Sequence, residues 1–288
     1  MSTPVKVVLV NVFLGLLSIL WAQSSFCGDP PKVLVSIGPQ KFYVGSIGEI
    51  DPMVLIPSGY DPHTFEPKPS QLKEISRIDL YLTIGLPEEG EWIKKIKGIN
   101  PKIKVVGTSP YGEERKAHGG QKGIGAGHHH HHDPHTWLSP KLGEEIAKKT
   151  FEALKEADPE RSSKYEANLI KCLQTLRAFR AEIRDRLQRC NKKAFLVYHP
   201  AYGLFAEEFG LIQLAVEKEG KEPKAKDLAQ IQEEIVKYGI KRMIVQPGAG
   251  AGKQRAFAER LGLIAVPVDP IAENWTDQIK KLIESMCD

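Results

Sequence analysis

The chain has 288 residues, with 40 Lys and Arg against 36 Asp and Glu, and the basic residues lie dispersed among acidic ones, as around Lys148-Lys149 and Lys280-Lys281. That dispersal excludes the basic stripe of a nucleic-acid-binding protein. Four cysteines are too few for a disulfide scaffold, so the fold must rest on an ordinary apolar core, and with no CxxC pair a cysteine-built metal site is not expected.

Residues 1–28 have the layout of an export signal: Lys6 gives the positive start, 7–20 is apolar, and Ala22-Gln23-Ser24-Ser25 offers small residues for cleavage. The apolar run is about 14 residues, shorter than the roughly 20 that a membrane-spanning helix needs. A soluble protein in the periplasm or another extracytoplasmic space is expected. A lipid anchor on Cys27 is disfavoured by the bulk of Phe26, where a lipoprotein signal carries a small residue. The remainder, about 260 residues, suits two domains.

Apolar runs recur at 33–37, 53–56, 80–84, 103–106, 194–198, 211–216, 243–245 and 264–268. Most are separated by enough chain for a helix, the pattern of parallel strands with crossover helices. Four runs precede residue 140 and four follow residue 190. The expectation is an α/β fold of two lobes, 29–157 and 191–288, each with a mainly parallel four-stranded sheet flanked by helices.

Between these groups Ser139-Pro140 opens a helix that repeats Leu142, Ile146, Thr150, Phe151 and Leu154 on one face. Asp158-Pro159 reads as a second cap with proline at the first helical position. From there to Cys190 no Gly or Pro interrupts, and Tyr165, Leu169, Cys172, Leu173, Leu176, Phe179, Ile183 and Leu187 keep an apolar stripe. Such a helix over 158–190 would be about 48 Å long, enough to run the height of the molecule and join the lobes. Cys172 and Cys190 would sit about 27 Å apart on it and cannot pair. Cys27 and Cys287 leave the pairing open.

The chemistry gathers in three short stretches. Asp61-Pro62-His63-Thr64 returns as Asp133-Pro134-His135-Thr136, and a third histidine, His199, ends the run 194–198. Asp269 ends the run 264–268 in the same way, and strand carboxyl ends are where α/β sheets place ligands. His63, His135, His199 and Asp269, two from each lobe, are therefore the candidate metal ligands, with Asp61 and Asp133 as acceptors that orient the imidazoles. Three neutral imidazoles plus one carboxylate suit Zn²⁺ better than Mn²⁺, which prefers more oxygen. Acidification below about pH 6 should weaken binding, because His must be neutral to ligate. The segment ahead of His135 is rich in glycine and carries His118, His128, His129, His130, His131 and His132, a composition suited to a loop of weak auxiliary metal ligands (118–132).

With these residues in view, the chain resembles the metal-binding receptors of zinc and manganese ABC importers, the cluster A-I or cluster 9 solute-binding proteins. The likeness rests on Asp61 to Ser70, Gly85-Leu-Pro-Glu-Glu-Gly-Glu91-Trp92, Asp133 to Pro140, Tyr198-His199-Pro-Ala-Tyr202-Gly203 and Val268-Asp269-Pro270. It implies two α/β lobes joined by a rigid helix, a metal bound between them, and delivery to an integral-membrane permease by a monomer. His199, where manganese-type members tend to carry Glu, and the His-rich loop both fit the zinc-type branch. A manganese-type receptor or a surface adhesin on the same fold are the alternatives. No HExxH occurs, and no enzyme activity is expected.

Overall fold

The computed structural model describes residues 28–111, 133–217, 221 and 223–287. Cys27, the export segment and the loop histidines His118 and His128 to His132 lie outside the described residues. In chain order the first group of elements is β1 (Val33–Ile37), α1 (Gln40–Gly48), β2 (Met53–Ile56), α2 (Pro69–Ile75), β3 (Leu80–Thr83), α3 (Glu89–Ile99) and β4 (Lys104–Gly107). Two long helices follow, α4 (Pro140–Ala157) and α5 (Ser162–Cys190). The second group is β5 (Ala194–Val197), α6 (Gly203–Phe209), β6 (Ile212–Ala215), α7 (Ala225–Tyr238), β7 (Arg242–Val245), α8 (Ala251–Arg260), β8 (Ile264–Pro267) and α9 (Trp275–Cys287).

Each group makes one four-stranded sheet, ordered β2-β1-β3-β4 and β6-β5-β7-β8, with every neighbour parallel. β1, β3 and β5 are buried along their whole length, which is why they read as continuous apolar runs rather than alternating ones. Strand ends shift by about one residue from the apolar runs. The run at 103–106 becomes Lys104–Gly107, for instance, because Lys104 N–H bonds to Asp79 O and starts the pairing there.

Alternation reappears in where the second sheet sends its side chains. Phe195, Val197 and Ile244 join the large core shared with the first sheet and with α5 and α9. Leu196, Tyr198, Met243 and Val245 join a separate cluster with Ile231 of α7 and Ala258 of α8. Adjacent residues on a strand face opposite sides, so one sheet serves two cores.

α4 starts as its sequence suggests, with Ser139 Oγ accepting from Leu142 N at 3.2 Å and Pro140 at the first helical position. α5 does not begin at Pro159. Pro159–Arg161 is a separate 3-10 turn, and the Asp158 carboxylate, rather than capping, accepts from Arg161 Nη1 at 2.6 Å and Tyr165 Oη at 2.7 Å. The helix proper has 29 residues, about 43 Å. Its buried face includes the polar Asn168, one residue before the Leu169 of the apolar stripe, and Asn168 Nδ2 donates to the carbonyl of Ile47 near the end of α1. α5 packs on α1, α4 and α9. Trp275 of α9 sits between Phe42 of α1 and Phe179 of α5, edge-on to both at 5.9 and 5.6 Å.

Cys190 and Cys287 form a disulfide that fastens the end of α5 to the end of α9, with their Cα atoms 5.1 Å apart. Cys172 is buried, and burial pushes its thiol up to about 12. The β8–α9 loop docks on the start of α1, where a Cβ on Gly38 would lie 2.6 Å from Ile271 O and 2.7 Å from Glu273 N, so no larger residue fits. Lys41 bridges Asp51 (2.9 Å) and Glu273 (3.1 Å) beside that contact. Among the described residues no helix is long and apolar enough to cross a membrane.

Candidate metal centre

The two copies of Asp-Pro-His-Thr fold differently. In the first, Pro62–Thr64 itself forms a 3-10 turn after β2, whereas in the second the 3-10 turn is Thr136–Leu138 and His135 stands just ahead of it. The reason lies in Asp133, whose Oδ1 accepts from both His135 N (2.9 Å) and His135 Nδ1 (2.7 Å) and so fixes the residue before the turn begins. A carboxylate only accepts, so Nδ1 carries the proton and Nε2 is the lone-pair nitrogen of the neutral ring. His135 is 9 % exposed, packed against Trp137 at 5.3 Å.

His199 has the same kind of partner, at the end of a strand of the second sheet. It follows β5, and its Nδ1 lies 2.9 Å from Oε2 of Glu217, two residues past the end of β6. Glu217 N bonds to Tyr198 O at 2.9 Å, so the parallel pairing of β5 and β6 runs on far enough to set the carboxylate beside the ring. The two imidazole centroids are 5.4 Å apart at 73°. Two rings sharing one tetrahedral zinc through nitrogens at 2.0–2.1 Å would have centroids about 5 Å apart, so the pair stands at chelating distance.

The two halves also meet through Asp133. A Cβ on Gly203 would lie 2.7 Å from Asp133 Oδ2, so the start of α6 must be glycine for the acceptor of His135 to sit against the turn that follows His199. Trp137 Nε1 donates to Pro270 O at 2.7 Å, tying the His135 turn to the loop of Asp269.

Asp269, 6 % exposed, is placed at the end of β8 and is already occupied by protein donors. Ser58 Oγ and Gly59 N (3.0 Å) donate to Oδ2, and Ile271 N (3.0 Å) donates to Oδ1. These use three of the roughly four acceptor sites of a carboxylate. Its charge, after burial, also holds the Tyr202 phenol well above its ordinary range, so Asp269 acts within electrostatic reach of the turn after His199.

The His63 main chain lies on the turn after β2, and its side chain is outside the described residues. Its neighbours Asp61, Pro62 and Thr64 line a cleft of about 480 Å³ together with Asp269 and the β7–α8 loop. Phe65, next in sequence, is held edge-on between Tyr60 (5.7 Å) and Trp92 of α3 (6.2 Å). Among the described residues no three of His, Cys, Asp and Glu gather as a metal-holding group. What the structure brings together is the pair His135 and His199.

Sequence reasoning missed two carboxylates. Glu217 carried the same signal as Asp269, an acid just past an apolar run. Glu89 lies within Gly85 to Trp92 and is buried, accepting from Ser36 Oγ and from the backbone N–H of Ile84 (2.8 Å), Gly85 (2.7 Å) and Leu86 (3.1 Å). Burial pushes its carboxyl up to about 7 against those hydrogen bonds. It holds the loop ahead of α3, the helix that brings Trp92 to Phe65.

A model of the family described as zinc-uptake complex component A, periplasmic, matches residues 33–287. The zinc-binding protein AdcA of Streptococcus pyogenes serotype M3 is 28 % identical over 258 residues, covering 84 % of this chain and 49 % of the relative. The chain thus spans about half the length of that relative. The high-affinity zinc uptake system protein ZnuA of Bacillus subtilis is 26 % identical over 247 residues, 82 % of this chain and 76 % of its own. A crystal structure of ZnuA superposes with a TM-score of 0.78 at 31 % identity, covering 90 % of this chain and 98 % of that one.

Proposed function

The chain belongs to the periplasmic zinc-uptake component A family, and from that premise we propose that it is an extracytoplasmic receptor that binds Zn²⁺ and hands it to the permease of an ABC importer. In this reading the ion is cargo and no reaction is catalysed. His63, His135, His199 and Asp269 are its ligands, with Asp133 and Glu217 orienting two of the rings and Asp61 serving His63. Residues 1–28 direct export, Cys27 is not lipidated, and the receptor works as a monomer with lobes at 29–157 and 191–288 and the segment 158–190 between them.

The observation that carries this is the His135–His199 pair, centroids 5.4 Å apart, each ring with Nδ1 at a carboxylate. Two lone-pair nitrogens from two separate stretches of chain suit a borderline-soft ion such as Zn²⁺, and a site made mainly of imidazole disfavours Mn²⁺. Nanomolar binding by such a site corresponds to about 12 kcal/mol. Release on a useful timescale then requires the permease to compete with or distort the ligand set.

Competition titration of Zn²⁺ and Mn²⁺ against a chromophoric chelator tests the reading with the wild type and the single variants His63→Ala, His135→Ala and His199→Ala. One tight equivalent of Zn²⁺, weakened at least a hundredfold in each variant, is expected. Equal zinc affinity in wild type and His199→Ala, or preference for Mn²⁺, would overturn it.

A further inference from the structure

We propose that Glu208 is a positioning residue of the metal centre: by holding the start of α4 against α6 and α5, its carboxylate sets the spacing of His135 and His199, and so zinc affinity, without touching the ion. This rests on the receptor reading and adds a residue to it.

α6 begins four residues after His199, with no slack between them. Ala201 N bonds to His199 O at 2.9 Å, Ala201 and Tyr202 are buried, and Tyr202 N donates to Oε1 of Gln213 on β6 at 2.6 Å. α4 likewise begins directly after the 3-10 turn that follows His135, with Ser139 as its cap. Where α4 and α6 sit relative to each other therefore decides how far apart the two rings stand.

Two contacts fix that placement, one toward each end of α6. At its start Gly203 leaves room for the Asp133 carboxylate. Toward its end Glu208 Oε2 accepts from Ser139 Oγ and from Lys141 N at 3.1 Å, and Oε1 accepts from Nε of Arg180 on α5 at 2.5 Å. Ser139 Oγ also accepts from Leu142 N, so its single proton is committed to Glu208. Asp133 and Ser139 bracket His135 in the chain, α6 meets both, and the 3-10 turn between them packs on that helix.

The Glu208 side chain is 3 % exposed. The cost of taking a carboxylate out of water roughly offsets what its pairing contributes, so apolar side chains would hold these helices about as firmly. What three donors on two helices add is a single allowed position. The negative charge also lies at the α4 N-terminus, where the helix dipole favours it.

Competition titration of Zn²⁺ with Glu208→Ala, Glu208→Gln, Ser139→Ala and the double variant Ser139→Ala with Glu208→Ala tests this, with urea unfolding of each metal-free protein alongside. Glu208→Ala should weaken zinc binding about tenfold. Glu208→Gln, which keeps an acceptor for Ser139 and Lys141, should recover most of that loss. Ser139→Ala should weaken zinc binding as well, and the double variant should lose less than the sum of the two, because both act through one contact. A residue that only stabilised the fold would lower the unfolding midpoint and leave the zinc affinity of the folded protein alone. Unchanged affinity in Glu208→Ala, a Gln variant no tighter than Ala, or additive losses in the double variant would overturn the proposal. If Glu208→Ala does not fold, Ser139→Ala, which removes one hydroxyl, decides, and affinity equal to wild type overturns it. A wild type that binds no zinc refutes the receptor reading, whereas zinc binding indifferent to Glu208 refutes this inference alone.

Discussion

Glu217 lies 2.9 Å from the Nδ1 of His199, although the two residues are 18 positions apart and reach each other only because β5 and β6 pair in parallel. Its counterpart, Asp133, is two residues from His135 and reaches Nδ1 through a local turn. The same chemical task is thus done once by long-range pairing and once by local geometry.

Truncating the long-range member should be costly for metal binding. Glu217→Ala is expected to lower zinc affinity about 10- to 100-fold, since the ring loses the acceptor that fixes its tautomer. Glu217→Gln keeps an acceptor oxygen and should fall between. Competition titration at pH 7.5 measures both, and an Ala variant as tight as wild type would show that the contact orients nothing.

Glu89 makes a prediction about pH. Its folded-state value of about 7 lies above the unfolded value of 4.5, so between these limits the native state binds the extra proton. Stability from this group is present at the acid end and falls as pH rises from about 4.5 to 7, by about 3 kcal/mol. Urea unfolding of the metal-free protein across that range should show the decline in wild type and its removal in Glu89→Gln. The hydrogen-bonded carboxylates Glu49 and Glu91, shifted the other way, act below 4.5 and do not mask it. Parallel stability profiles for the two proteins would refute the assignment.

The disulfide supplies a third test. Cys190 and Cys287 close a loop of 97 positions, for which the chain-entropy model gives about 4–5 kcal/mol. Cys190→Ser with Cys287→Ser should lose about 2–5 kcal/mol in denaturant unfolding. The bond sits at the end of the molecule where β5 begins, while His199 follows the end of that strand, so zinc affinity should be unchanged. A weakened zinc site in the double variant would contradict that separation.

Much of this was legible from residues alone. All eight strands lie on the apolar runs, and their parallel pairing follows from the helices that fit between them. Strand order was not legible, because which strand neighbours β1 is decided by contacts far apart in sequence. Cys190 and Cys287 were undecidable for the same reason. Asp133 at His135 could be read from a two-residue spacing, whereas Glu217 at His199 depends on the β5–β6 register. Asn168 joins the buried face of α5 because its amide meets a carbonyl of α1, a partner no periodicity can reveal. Asp158 looked like a cap, yet Arg161 and Tyr165 claim its carboxylate and delay the helix by a short turn.

The glycine at 248 has φ +110°, and a Cβ there would come within 2.0 Å of Gly59 O. Main chain rests on main chain at that point, where the β7–α8 loop meets the loop after β2. Beside it Ser58 Oγ and Gly59 N both hold the Asp269 carboxylate. Any side chain at 248 would act as a wedge between these two loops and would displace Gly59 from the carboxylate it shares with Ser58.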